Sequence, residues 1–295
     1  MIVIAENINI MSRIIGPAMR DHDPKPIQEL AAQLAANGAD YLDVNIGPAR
    51  KGGAETMEFV VRAVQEAAPR PLSLDTMNVE AMEAGLRAHK NDWGRPIINS
   101  IMARPERIEA LMPLAQKYEA NFIALLYGPQ GLPRDANERG ELAAMMQYQA
   151  MEAGIRDNMV WYDPIVVPVN SQQNQLLGCT EFMVMLPEFA PASMSTCGLS
   201  NVSSGAPVPL RHILNQTYLC ILRWWGLKSA ILDGLDQTLL AIARDQRPDL
   251  DELIGKVING DPLDLGAANK EEKDYIKTAK LLQGESLYSD SWLDL

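Results

Sequence analysis

From the N-terminus onward, the chain alternates short apolar, β-branched segments with longer stretches in which apolar residues recur at three and four positions. Eight strand candidates follow from this pattern: Ile2 to Ile8, Tyr41 to Ile46, Pro71 to Asp75, Pro96 to Ser100, Asn121 to Leu126, Met159 to Pro164, Ser193 to Ser200 and Ser229 to Asp233. They start roughly 25 to 40 residues apart, the length of one strand-helix-strand crossover. Between them lie amphipathic patterns such as Ile27, Leu30, Ala31 and Leu34, then Met57, Val60, Val61 and Val64, whose apolar faces should coat a sheet. Pro24 or Pro26 signals the start of the first of these helices and Asn37-Gly38 its end, with similar punctuation at Pro105 and Gly154. Eight such units predict an α/β fold, a (β/α)8 TIM barrel, over residues 1 to about 245.

Beyond Arg247-Pro248 the pattern changes. A helical stretch from Asp249 to Val257, a turn at Asn259-Gly260-Asp261-Pro262 and a Lys/Glu-rich helix from about Asn269 to Leu282 predict extra C-terminal helices over about 246–295. They are expected to cap the barrel or support a dimer contact. No window of the chain repeats another, and its 295 residues fit a single barrel domain.

With 47% hydrophobic and 22% charged residues, the chain can bury a large core. Its 38 acidic against 26 basic residues, net charge −12, work against a nucleic-acid or anionic-membrane partner. The start, MIVIAENINIM, has no basic region before its apolar stretch, and no apolar run approaches the ~20 residues of a membrane span. A cytoplasmic protein is expected. Cys179, Cys197 and Cys220 are widely spaced and read as reduced thiols in or near the core. His22, His89 and His212 lack metal-ligand spacing, so no metal site is expected.

In a (β/α)8 barrel the C-terminal strand ends converge on one mouth, so polar residues there are the candidates for chemistry. Strand one ends in Glu6-Asn7-Ile8-Asn9, strand two carries Asp43 and Asn45, strand three ends at Asp75 followed by Asn78, and strand four at Asn99-Ser100. Strand six ends at Asp163, strand seven at Ser200-Asn201 and strand eight at Asp233. Helix capping explains any single one of these. Seven such ends with scarcely a Lys or His among them point instead to a ligand rich in N–H donors. A sugar phosphate would call for basic groups in the loop Ser200-Asn201-Val202-Ser203-Ser204-Gly205, which has no lysine. A pterin offers N3–H, a 2-amino group and N8–H to carboxylates, and O4 and N1 to amide donors.

The segments Leu74-Asp75-Thr76-Met77-Asn78, Ile98-Asn99-Ser100, Tyr162-Asp163-Pro164 and Gly198-Leu199-Ser200-Asn201-Val202-Ser203 resemble the motifs of the pterin-binding methyltransferases, in order and spacing. Ala5-Glu6-Asn7-Ile8-Asn9 and Leu42-Asp43-Val44-Asn45-Ile46-Gly47-Pro48 match as well, so the resemblance covers roughly residues 1 to 245. It is strongest to methyltetrahydrofolate:corrinoid protein methyltransferases. The resemblance implies that Asp75, Asn99 and Asp163 hold the pterin ring beside the loop containing Gly198, Ser200, Asn201 and Ser203. It further implies that Asn201 faces N5, that Asp43 and Asn9 complete the polar floor, and that Arg211 is the arginine following the loop.

Methyl exchange between tetrahydrofolate and a corrinoid requires a proton to come and go at N5. An amide supplies a hydrogen bond but is no acid, so the proton is expected to pass through water, relayed by Asp43 or Asp75. The chain lacks the Asp-x-His-x-x-Gly signature of corrinoid-binding folds, so the corrinoid is expected on a partner protein, with Met11 or Met102 available to line a docking face. The direction leans toward methylation of tetrahydrofolate in a demethylation pathway, and a homodimer is implied by resemblance. Two alternatives compete. A dihydropteroate synthase would need a basic Lys-Pro-Gly-type loop where Cys197-Gly198-Leu199-Ser200-Asn201 stands, and a non-catalytic folate-binding protein would have no need of Asn201.

Overall fold

The structure, a computed structural model, describes residues 1–49 and 51–294. Its strands are β1 (Ile2–Asn9), β2 (Tyr41–Gly47), β3 (Leu72–Thr76), β4 (Ile97–Met102), β5 (Asn121–Leu125), β6 (Val160–Asp163), β7 (Met194–Ser195) and β8 (Ser229–Leu232). The helices before the midpoint are α1 (Ile15–Asp21), α2 (Pro24–Ala36), α3 (Gly53–Ala67), α4 (Val79–Ala88), α5 (Pro105–Lys117) and α6 (Ala136–Glu152). Those after it are α7 (Val169–Gln172), α8 (Asn174–Phe189), α9 (Val208–Trp224), α10 (Gln237–Ala243), α11 (Pro248–Asn259) and α12 (Lys270–Leu282). All strands pair in parallel, in the order β7-β6-β5-β4-β3-β2-β1-β8, so the predicted (β/α)8 TIM barrel is the observed fold.

Local chemistry sets many of the element boundaries. Asp23 caps α2 with Pro24 at its first position, and Gly38, at φ +94°, turns the chain out of it. The helix α3 buries Met57, Val60, Val61 and Val64 against the sheet, as their spacing predicts. Asn78, Asp135 and Asp236 cap α4, α6 and α10, so Asn78 performs the ordinary capping role open to any polar strand-end residue. In the tail, Asn269 and Glu272 form a reciprocal capping box at the start of α12. The two C-terminal helices lie on the barrel's flank: Tyr275 Oη donates to Gln216 Oε1 on α9 at 2.6 Å, and Gln173 Nε2 to the Leu281 carbonyl at 2.6 Å.

One predicted strand is much shorter than expected. In place of Ser193 to Ser200, only Met194–Ser195 pairs as strand, and the chain then leaves the sheet for a 3-10 turn over Leu199–Ser203. The reason lies at the barrel seam. There β7 and β8 share no regular ladder, and side chains take over: Ser229 Oγ donates to the Ser195 carbonyl at 2.8 Å, and Lys228 N to Ser195 Oγ at 3.0 Å. An isolated parallel bridge between Gly198 and Ile231, with Ile231 N donating to Cys197 O at 2.8 Å, completes the closure.

Two apolar shells divide the interior. The larger lies between sheet and helices, and a small separate cluster of Ile4, Ile97, Ile123, Trp161 and Ile231 fills the barrel itself. Cys179, Cys197 and Cys220 are free thiols and buried. Among the described residues no helix is long and apolar enough to cross a membrane.

Candidate active site at the barrel mouth

The period of two along a strand carries the inner cluster upward into polar chemistry. Two residues beyond Ile4, Tyr41, Ile97, Trp161 and Ile231 stand Glu6, Asp43, Asn99, Asp163 and Asp233. Strand register then sets Asn45, Asp75 and Asn99 side by side across β2, β3 and β4. Asp43 pairs instead with Ser73, one layer lower, and is 2% exposed, while Asp75 is half-buried and open to the mouth.

Three register shifts lie at this rim, between Ala5 and Ile8, Asn45 and Gly47, and Ile98 and Ile101. Bulges concentrate at barrel rims because an extra residue re-aims the side chains that follow. The first of them brings Asn9 into register with Asn45 even though Glu6 already faces the barrel interior. The peptide between Asn99 and Ser100, within the third, is cis.

Hydrogen bonds tie these groups into one array. Asn45 Nδ2 donates to Asp75 Oδ2 at 2.5 Å, Ser73 Oγ to Asp43 Oδ1 at 2.6 Å and Asn99 Nδ2 to the same Asp43 oxygen at 3.0 Å. Among the described residues no cation acts on Glu6, Asp43 or Asp75. Burial pushes all three upward, and Asp75 is raised further by the negative charge of Asp43. The Asp43–Asp75 pair therefore retains a proton well above the usual carboxylate range. Asp163 is pushed up to about 6 by burial, moderated by the amides of Ile165 and Gly198.

The opposite wall is built from the 3-10 turn. Ser200 Oγ donates to Glu6 Oε1 at 2.5 Å, linking the turn to β1 across the seam. Asn201 is exposed, and its side-chain amide has no hydrogen-bond partner among the described residues. A Cβ on Gly198 would stand 2.9 Å from Asn201 Nδ2, so the glycine leaves the space that the amide occupies. Arg211 Nε donates to the Ala206 carbonyl at 2.9 Å, and the side chain lines a 370 Å³ cleft with Glu6, Ser200, Ser203 and Asp233.

The sequence profile of the family described as "Pterin binding enzyme" matches residues 13–232. The chain belongs to this family. The pterin-binding enzyme is 26% identical over 242 residues to the methylcorrinoid:tetrahydrofolate methyltransferase of Eubacterium limosum, covering 81% of this chain and 88% of that protein. It is also 25% identical over 242 residues to methionine synthase of Mycobacterium leprae, covering 78% of this chain and 20% of that longer protein. Among solved structures, dihydropteroate synthase of Xanthomonas albilineans superposes with TM-score 0.61 at 17% identity, covering 84% of this chain and 92% of that one. The corresponding enzyme of Stenotrophomonas maltophilia gives TM-score 0.61 at 15% identity, covering 89% of this chain and 94% of that one. At these identities the structural likeness speaks for the shared barrel alone.

In this pterin-binding enzyme the expected site residues fall into three groups. Asp75 and Asn99 form one polar row, while Asp163, Gly198, Ser200, Asn201 and Ser203 lie on the β6–β7 side with Arg211 at its edge. Asp43 lies beneath the row, where it supports Asn99. Asn9 spends its carbonyl on the Met11 amide at 2.9 Å, holding the loop after β1. The sequence places Glu6 and Asn45 among the strand-end candidates without a role in the pocket, and Ser73 is missing from that set. Ser73 was findable by counting two residues down from Asp75 on its strand.

Proposed function

We propose that this pterin-binding enzyme transfers a methyl group between a corrinoid carried on a partner protein and N5 of tetrahydrofolate, forming methyltetrahydrofolate in a demethylation pathway. The relative from Eubacterium limosum, matched over most of its length, supports this reaction. The observation that carries the proposal is the exposed amide of Asn201 on the turn after β7, without a side-chain partner among the described residues, whereas Asn45, Asp75, Asp43 and Asn99 are engaged with one another. A pocket that only bound the pterin would have no use for it.

The donor set fits the ring. Half-buried Asp75 and buried Asp163 accept from pterin N–H groups, and the Asn45 and Asn99 amides border the ring's acceptor atoms. Asp43 receives Asn99 Nδ2 and so fixes which way that amide faces. Among the described residues the groups acting on Glu6, Asp43 and Asp75 are carboxylates, hydroxyls and amides, which suits a neutral ring.

The corrinoid supplies the methyl group. As the N–C bond forms, the corrinoid would keep the electron pair of the bond it gives up, and N5 must shed its proton. Asn201 Oδ1 accepts the N5–H and aims the nitrogen lone pair at the methyl carbon; in reverse, Nδ2 donates to N5. The Asp43–Asp75 pair, held near neutral titration by burial, accepts the released proton through water. A homodimer belongs to the same proposal, supported by the exposed Leu265 and Leu287 of the C-terminal extension.

The test is a spectroscopic assay with methylcobalamin and tetrahydrofolate, following loss of the methylcobalamin absorbance. Turnover should require tetrahydrofolate, and Asn201→Ala should lower kcat by about 100-fold, about 2.7 kcal/mol, with little change in folate affinity. Folate binding without methyl movement, even with corrinoid proteins supplied, would remove the methyltransferase assignment and leave the pterin pocket.

A further inference from the structure

Outside the mouth, the chain buries one guanidinium completely. Arg139 on α6 is 0% exposed, and its partners are neutral: Nε donates to the Pro164 carbonyl at 2.8 Å, Nη1 to the Asp135 carbonyl at 3.1 Å and Nη2 to Gln175 Oε1 at 2.9 Å. A weaker contact reaches Cys179 Sγ at 3.9 Å. A buried charge without a counter-ion is costly, and side chains of this kind are rare unless something offsets them. Room has been made for it as well, because a Cβ on Gly178 of α8 would stand 2.7 Å from Arg139 Nη1.

The offsetting charge is at the pocket. Asp163 directly precedes Pro164, is itself buried at 7% exposure, and the positive charge of Arg139 acts on it. The two are joined by one turn. Arg139 holds the Pro164 carbonyl, Ile165 N donates to Asp163 Oδ1 at 2.7 Å, and Cys179 Sγ donates to the Ile165 carbonyl at 3.3 Å. Ile165 sits at φ +69°, a conformation that a β-branched residue keeps only when its surroundings impose it. Clamping from α6 and α8 is what imposes it here.

We propose that Arg139 is a positioning residue for the pterin pocket, which keeps Asp163 ionised and aimed at the ring from behind the barrel wall. This rests on Asp163 being a pterin acceptor, as proposed above. The other titratable groups around Asp163 are Cys179 on α8, Cys197 after β7 and Tyr218 on α9, with Glu6 of β1 bordering Cys197. Burial raises the two thiols and the phenol, so they stay neutral through the physiological range. Arg139 is thus the cation that acts on this carboxylate.

The experiment measures tetrahydrofolate affinity between about pH 5 and about pH 9 for the intact protein, Arg139→Lys and Arg139→Gln. In the unaltered protein, affinity should fall as the pH drops through about 6, where Asp163 takes a proton. Arg139→Gln should move that midpoint upward, with weaker binding on the acid side and near-equal binding at about pH 9. Arg139→Lys should restore the original midpoint. A purely structural role would weaken binding equally at every pH, and that result, or an unmoved midpoint, overturns the proposal. Should Arg139→Gln fail to fold, Gly178→Ala crowds the guanidinium while favouring the helix, and should move the midpoint in the same direction. Absence of tetrahydrofolate binding by the unaltered protein at any pH would instead refute the pterin assignment on which this rests.

Discussion

The two walls of the barrel mouth are built in opposite ways. The wall from β2 to β4 is regular sheet, in which Asn45, Asp75 and Asn99 share a register row and pair with neighbouring strands. The wall at β7 has almost no sheet: two residues of strand and then a 3-10 turn, tied to β8 by bonds made by serine side chains. On the first wall every polar group has a partner before a ligand arrives. On the second, Asn201 has none among the described residues. A wall that must recognise a flat ring gains from preorganised acceptors, whereas one that must follow a proton at N5 gains from a donor-acceptor group still free to reorient.

The largest expected effect comes from breaking the regular wall. Asp75→Asn removes an acceptor but keeps one oxygen for Asn45, so tetrahydrofolate affinity should fall by about 100-fold with the fold intact, as read by calorimetry. The same change should raise the melting temperature of the ligand-free protein. Asp75 has its folded pKa raised, so its ionisation weakens the fold progressively as pH rises from about 4 through the raised value. The stabilisation should therefore be clear near about pH 8 and vanish near about pH 4. A variant that binds less well and melts lower would show that Asp75 serves the fold, not the ligand.

On the irregular wall, Asn201→Ala should leave affinity nearly intact while kcat collapses, which is the opposite split. Gly198→Ala refines that contrast without deleting anything. At φ −77° the new methyl brings no backbone strain, yet it meets Asn201 Nδ2 and must push the amide aside. A kcat loss of about tenfold with an unchanged melting temperature is expected. An unchanged kcat would mean that the amide's position is not critical. The smallest effect belongs to Arg211→Ala. Exposed and bonded only to the Ala206 carbonyl, it should change the tetrahydrofolate KM by about threefold and kcat hardly at all.

The same contrast explains which parts were legible beforehand. Strands β1 to β6 and β8 announce themselves because period-two apolar residues and fixed turn signals flank them. Asp75, Asn99 and Asp163 are legible because each is the first amide or carboxylate to follow a strand's apolar run, although β3 continues to Thr76 and β4 to Met102. The shortened β7 was not, since Ser193 to Ser200 has adequate strand composition, yet at the seam it meets β8 through the Ser195 and Cys197 carbonyls and not through a continuous ladder. Asp43 and Asp75 read alike as strand carboxylates, yet register places one a layer below the other. Arg139 lies in the charged run Glu138-Arg139-Gly140-Glu141, and no local pattern reveals that α8 opens a space for it at Gly178.

What the sequence determined by itself was the periodicity: which residues face inward, where helices start and stop, and that the mouth is acidic and amide-rich with few cations. These are short-range properties, set by the geometry of a strand or a helical turn and by the chemistry of its capping residues. Only the tertiary structure decided the three rim bulges, the layering of Asp43 beneath Asn99, the free amide of Asn201 and the clamp from Arg139 to Asp163. Each of these depends on how far neighbouring strands slide past one another, and on which groups are left without water when helices close over the sheet. Those are contacts between residues far apart in the chain, and no local window contains them.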